Sequence, residues 1–231
     1  MLKVIVFDMD DTLYPESAYV HSGFHAVADW VAEQYQWDAE ESYQILANLF
    51  NEGVRGDTFN RWLTIQGHAM PDVGAAECLR VYRGHQPTLI PYQGVPNLLR
   101  LLKPRYKLGL LGDGYLAVQQ RKFKALGLTE WFDAVVFSDQ WGREAWKPSS
   151  RPFIEVLALL GIDGPEAVYI GDNPLKDFIV ARQVGMKTIW YQSEGGVYAD
   201  RQPPTEAHHA DQVLTSYKEL WPTLEYFAFQ F

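Results

Sequence analysis

The feature that most constrains this chain is an alternation. From Lys107 to Tyr191, short apolar runs take turns with amphipathic stretches of helix length. Lys107–Leu111, Ala134–Ser138, Ala167–Ile170 and Lys187–Tyr191 read as strands. Between them lie Tyr115–Leu126, Arg151–Leu160 and Asp177–Val184, which carry apolar residues at helical spacing and stop at Gly127, Gly161 and Gly185. Strands separated by helices of about 10–15 residues predict an α/β fold, a parallel, doubly wound sheet. The apolar run Leu2–Phe7 supplies a first strand, Gly94–Leu102 a helix before Lys107, and Val213-Leu214 a last short strand ahead of a helix around Tyr217–Leu224.

A different pattern separates the first strand from the rest. Tyr19–Tyr35, Ala39–Phe50, Thr58–Ile65 and Val73–Tyr82 have helical spacing, Gly67–Pro71 separates the last two, and no strand is predicted between residues 14 and 88. The expected organisation is a core made of residues 1–14 and 89–231, with an all-helical cap, residues 15–88, inserted after the first strand.

Composition narrows the classes of function. The 231 residues are 47% hydrophobic and 21% charged, the make-up of a folded globular chain, and the formal net charge is −9. That balance excludes nucleic acid and anionic membrane as partners, since a basic face supplies most of such affinity. An anionic substrate must therefore be drawn in by a metal or a few lysines and arginines. A single cysteine, Cys78, leaves no intramolecular disulfide, and no run of the sequence approaches a membrane span or a secretory leader. A cytoplasmic protein, monomer or homodimer, is expected. The aromatic end Tyr226–Phe231 would pack internally or form a dimer patch.

In doubly wound sheets ligands bind beyond the carboxyl ends of the strands. Four such junctions here carry polar residues of catalytic type. They are Asp8-x-Asp10-x-Thr12, Gly112-Asp113-Gly114, Trp146-Lys147-Pro148 and Gly171-Asp172 with Asp177 five residues on. Asp8 and Asp10 lie two apart, so in extended backbone both point one way, and convergent carboxylates suit a hard cation with nucleophilic or acid/base chemistry. The same alternation turns Asp11 away, as a flap residue without a chemical role. Tyr14-Pro15 would belong to the same flap.

These four motifs, in order and on the expected elements, resemble the haloacid-dehalogenase superfamily of hydrolases, most of which are phosphatases. The resemblance covers the whole chain. It implies a Mg²⁺ ion held by Asp8, the backbone carbonyl of Asp10, and Asp172. It implies Asp8 as nucleophile forming an aspartyl-phosphate, Asp10 as proton carrier, Lys147 as the cation between Asp8 and the phosphoryl group, and Asp177 behind them, orienting Lys147 or a water. The carboxylate at Asp10 favours phosphate esters over halides, because a halide leaves without a proton. The absence of lysine between Lys3 and Lys103 counts against the phosphonate branch, which needs one in the cap.

One position departs from the family, whose second motif supplies a hydroxyl where this chain has Gly112. The amides of Asp113 and Gly114 would then face the phosphate, with the Asp113 carboxylate pointing away or on a substrate hydroxyl. Arg143 is expected to bind substrate, and Arg55 to sit in a solvated turn. Trp141 and Trp146 stand between pocket wall and core, Trp30, Trp37 and Trp62 read as cap core, and His208-His209 as loop residues. The expected activity is hydrolysis of a small phosphate ester, a sugar phosphate or similar. A phosphosugar mutase and a non-catalytic phosphometabolite-binding protein are the alternatives.

Overall fold

The computed structural model describes residues 1–67 and 74–228. It divides into two compact units, Met1–Glu16 with Leu89–Phe231, and Ser17–Thr88.

The first unit holds six parallel strands, β1 Val4–Phe7, β2 Lys107–Gly112, β3 Ala134–Phe137, β4 Ala167–Gly171, β5 Lys187–Tyr191 and β6 Gln212–Leu214, in spatial order 3-2-1-4-5-6. This is the predicted doubly wound sheet. The order reverses between β1 and β4, whose register sets Phe7 beside Ile170, while on the other side Phe7 lies beside Leu110 of β2. Every residue of β1 is buried, so both faces are covered and the strand reads as an unbroken apolar run. Successive side chains alternate: Val4 and Val6 join a cluster with Phe153, Val156, Leu157 and Leu160, while Phe7 meets Phe132 edge-on at a ring separation of 6.3 Å. Burying each such side chain is worth roughly 1.5–3 kcal/mol, which makes this layer the main source of stability.

The flanking helices are α5 Val95–Leu102, α6 Leu116–Leu126, α7 Arg151–Leu160, α8 Phe178–Gln183 and α9 Leu220–Ala228. In α9 Phe227 is buried and Tyr226 exposed; the rest of the predicted aromatic end lies outside the described residues. The chain leaves and rejoins this unit at neighbouring points, since the Tyr92 N–H donates to the Leu13 carbonyl at 2.9 Å.

The second unit is helical, with α1 Glu16–Tyr35, whose first residue belongs to the other unit, then α2 Ala39–Asn51, α3 Thr58–Ile65 and α4 Ala75–Gly84. Asp38 caps α2 by accepting from the Glu41 N–H. Its core is aromatic: Phe24, Phe59 and the fully buried Trp62, with Trp30 and Trp37 packed against them. The predicted helix start at Val73 and most of the Gly67–Pro71 break lie outside the described residues. Among the described residues no helix is long and apolar enough to cross a membrane.

Candidate active site

The site residues stand at the carboxyl edge of the sheet because each follows a strand. The ladder continues one residue past β1, the Asp8 N–H donating to the Ile170 carbonyl at 2.8 Å, which fixes Asp8 at the reversal between β1 and β4. A tight turn follows, with Leu13 N–H on the Met9 carbonyl at 2.9 Å, and it brings Asp10 alongside. Asp113 follows β2, Asp172 follows β4, and Lys147 lies in the loop between β3 and α7.

Lys147 is buried among acids. Its Nζ donates to Asp8 Oδ1, to Asp177 Oδ1 at 2.9 Å and to the Tyr169 hydroxyl at 2.6 Å. Burial pushes the Asp8 carboxyl up to about 7, Lys147 pulling it back and Asp177 adding to the rise. Burial alone would lower the Lys147 ammonium, but Asp177 and Asp8 outweigh that and hold it well above its ordinary value. Asp177 reaches Lys147 because Gly171 carries no side chain. A Cβ there would lie 2.5 Å from Asp177 Oδ2, the oxygen that accepts the Asn173 N–H.

Asp10 has its own partners. Lys122 Nζ donates to Oδ1 at 2.9 Å, the Tyr14 hydroxyl to the same oxygen, and Gln119 Nε2 to Oδ2 at 3.0 Å. Burial would raise the Asp10 carboxyl, yet Lys122 first, then Tyr14 and Gln119, hold it below its ordinary value.

These groups border a cavity of about 100 Å³ whose wall includes Asp8, Asp10, Glu16, Asp113, Asp172 and Lys176. Asp172 is raised well above the ordinary carboxylate range, by burial first and by Asp8 and Asp177 next, and no lysine or arginine among the described residues pairs with it. The donor set is all oxygen, the preference of Mg²⁺. No three carboxylate, imidazole or thiolate side chains among the described residues converge to hold a metal unaided. By the chemistry of the donor set, the residues present fit Mg²⁺.

The sequence profile of the haloacid dehalogenase-like hydrolases matches residues 5–191. The chain belongs to that family. The glyceraldehyde 3-phosphate phosphatase of Methanopyrus kandleri is 31% identical over 95% of this chain and 96% of its own length. A 2-haloacid dehalogenase from Pseudomonas syringae superposes with a TM-score of 0.64 at 26% identity, covering 98% of this chain and all of that one. The fold is also that of the hydrolase YfnB from Bacillus subtilis, solved bound to magnesium, with a TM-score of 0.70 at 18% identity over 96% and 98% of the two chains. The protein is an enzyme, a phosphoric monoester hydrolase of this family.

Within this hydrolase, Asp8, Asp10, Asp113, Asp172 and Lys147 come together, with Asp177 behind Lys147. Two expectations need correction, those for Arg143 and for Asp11 with Tyr14. Arg143 does not line the cavity; it donates to the Tyr115 hydroxyl and lies over the Tyr115 and Trp146 rings at 5.0 and 5.3 Å. Of the two placements expected for Asp113, it takes the one that faces the cavity, where it is neutralised. Burial would raise it, but Lys147 and Lys176 prevail and hold it low, and it accepts from Lys176 Nζ, Ser138 Oγ and the Lys147 N–H at 2.6, 2.6 and 3.0 Å. Asp11 and Tyr14 are no flap. Both are buried, and Asp11 accepts from the Glu16 and Val197 N–H groups at 2.7 and 2.8 Å, so it ties two cavity-lining stretches to the end of β1.

The indoles also resolve. Trp146 Nε1 donates to Asp139 at 2.7 Å, and Trp141 packs on the sheet's core beneath Arg151. Arg55 donates to the Phe50 and Val54 carbonyls across the Phe50 ring. His208 is engaged by Thr205 in a loop. Gln119, Lys122, Tyr169, Lys176, Glu16 and Tyr198 were not anticipated. For two of them a signal existed: Gln119 and Lys122 occupy the buried stripe of α6 shared with Phe123 and Leu126, where polar residues need a reason.

Proposed function

We propose that this hydrolase releases phosphate from a small phosphosugar, of the size of a triose phosphate, through an aspartyl-phosphate on Asp8, with Mg²⁺ as cofactor. The observation that carries the reading is the pair Asp8 and Asp10 at one cavity, each hydrogen-bonded to a different lysine. The phosphatase of Methanopyrus kandleri supports the substrate class, and the carboxylate at Asp10 separates this chain from halide chemistry.

Asp8 and Asp172, with the main-chain carbonyl of Asp10, would hold the ion. When bound, Mg²⁺ offsets the charge of the phosphate dianion and so permits an anionic nucleophile to approach. The protein's own residues do the rest. Lys147 and Tyr169 occupy Oδ1 of Asp8, leaving Oδ2 to form the new O–P bond while the ester O–P bond breaks. The departing oxygen keeps the electron pair and takes a proton from Asp10. At rest Asp10 is a carboxylate; a second negative charge entering the cavity raises its proton affinity, so it takes up the proton it then donates. In the second half Asp10 removes a proton from water, which attacks phosphorus and frees Asp8. Lys176, in the cavity wall, and the amides of Asp113 and Gly114 are the groups we assign to the phosphate oxygens, the family's hydroxyl being absent at Gly112.

The test is phosphate release from a panel of phosphosugars, nucleotides and phospho-acids, with Mg²⁺ and with chelator. Triose and pentose phosphates should rank highest in kcat/KM, with activity lost on chelation. Isomerised substrate without free phosphate would instead identify a mutase.

A further inference from the structure

Gly112 stands where the family's second motif carries a hydroxyl, and the structure shows what fills the space. A Cβ at Gly112 would lie 2.9 Å from Gln119 Oε1 and 2.9 and 3.1 Å from atoms of the Phe137 ring. The same Gln119 side chain reaches Asp10 through its Nε2 at 3.0 Å. Gln119 is 3% exposed, and its Oε1 is buried without a partner. A buried carbonyl left unpaired costs free energy and calls for a reason.

The reason lies in how a carboxylate is aimed. Lys122 and Tyr14 both engage Oδ1 of Asp10. The terminal torsion of aspartate is broad, so one anchored oxygen leaves the carboxylate plane free to swing. Gln119 donates to the other oxygen, Oδ2. The pairing also fixes which way the amide faces, since its oxygen cannot point at a carboxylate.

We propose that Gln119 is a positioning residue that sets the plane of the Asp10 carboxylate, and that position 112 is glycine because any side chain there would push Gln119 off Asp10. The inference rests on Asp10 being the proton carrier. Of the atoms a Cβ at 112 would meet, the glutamine amide is the flexible end, so it yields first. Restoring the family's hydroxyl would therefore harm this enzyme.

The experiment compares two esters in Mg²⁺-loaded enzyme. Glycerol phosphate has a poor leaving group that needs a proton, whereas p-nitrophenyl phosphate has one that leaves without help. Gly112→Ser and Gln119→Met should each lower kcat about tenfold more on glycerol phosphate than on the aryl ester, at little changed KM. The double variant should be no worse than Gln119→Met, because both changes remove one interaction. Melting temperatures confirm folding, and Gln119→Met, which keeps the side-chain volume, serves if Gly112→Ser does not fold. A Gly112→Ser enzyme with higher kcat or lower KM overturns the proposal, as does an equal loss on both esters. Asp10→Asn separates the levels. If it discriminates between the esters and the Gln119 variant does not, only this inference fails. If Asp10→Asn treats both esters alike, the assignment of Asp10 falls first.

Discussion

The two acids of the first loop sit two residues apart and live in opposite electrostatic circumstances. On the Asp8 side, Asp8 and Asp177 share one ammonium, that of Lys147, and Asp172 nearby has none. On the Asp10 side, one carboxylate accepts from a lysine and two further donors, and that lysine also acts at longer range on Asp11 and Glu16. Burial is the largest single influence in both places, yet Asp8 ends high and Asp10 low: Asp177 opposes what Lys147 does for Asp8, whereas Lys122, Tyr14 and Gln119 all pull Asp10 one way. The first side is short of positive charge, which supports the proposal that it takes up a cation. The second is balanced, which suits a group that must hand over a proton and recover it.

The comparison can be broken in order of effect. Asp8→Asn should remove phosphate release by roughly three orders of magnitude or more, with the circular dichroism spectrum unchanged, if Asp8 forms the covalent bond. Lys147→Met strands two carboxylates in the interior. Breaking a buried ion pair costs about 3–5 kcal/mol, so thermal or urea unfolding should show a loss of that size beside the loss of turnover. Magnesium should stabilise the wild type by about 2.7 kcal/mol at a hundred times its Kd, seen as a rise in Tm that chelator reverses. In Asp172→Asn that rise should largely vanish, and if it persists the ion is held elsewhere. The smallest effect on stability belongs to Lys122→Met, about 1–3 kcal/mol, since Asp10 keeps two other donors and some access to water. Equal destabilisation by Lys122→Met and Lys147→Met would erase the distinction between the two sides.

The residues legible in the sequence are those that follow strands. Asp8 and Asp172 could be found because an apolar run that stops on a charge marks a sheet edge, and Lys147, well past its strand, only because the other motifs stood in order around it. The sheet was legible for the same reason, its strands being continuous apolar runs bounded by helices. What escaped is what reaches the site from a distance. Lys122 and Gln119 meet Asp10 across more than a hundred residues, from the side of a helix, where sequence alone gives a polar residue on an amphipathic surface. Asp11 was misread because two-residue alternation applies to extended backbone, and the chain has already left it: Asp11 has φ of +50°. For Asp113 the expectation stayed open between pointing away and meeting a substrate hydroxyl, because Lys176, which neutralises it, is invisible as a partner until the fold brings β2 and the segment after β4 together.

The hydrogen bond from Tyr92 to Leu13 has a consequence for how such a chain can change over time. It closes the core across the gap left by residues 17–88, so the points between which that segment is spliced are already neighbours. Insertions are tolerated where the ends are pinned together at a surface. Replacing residues 17–88 by another segment that joins the same two points is therefore expected to leave the six strands in register, which the circular dichroism and Tm of such an exchange would check.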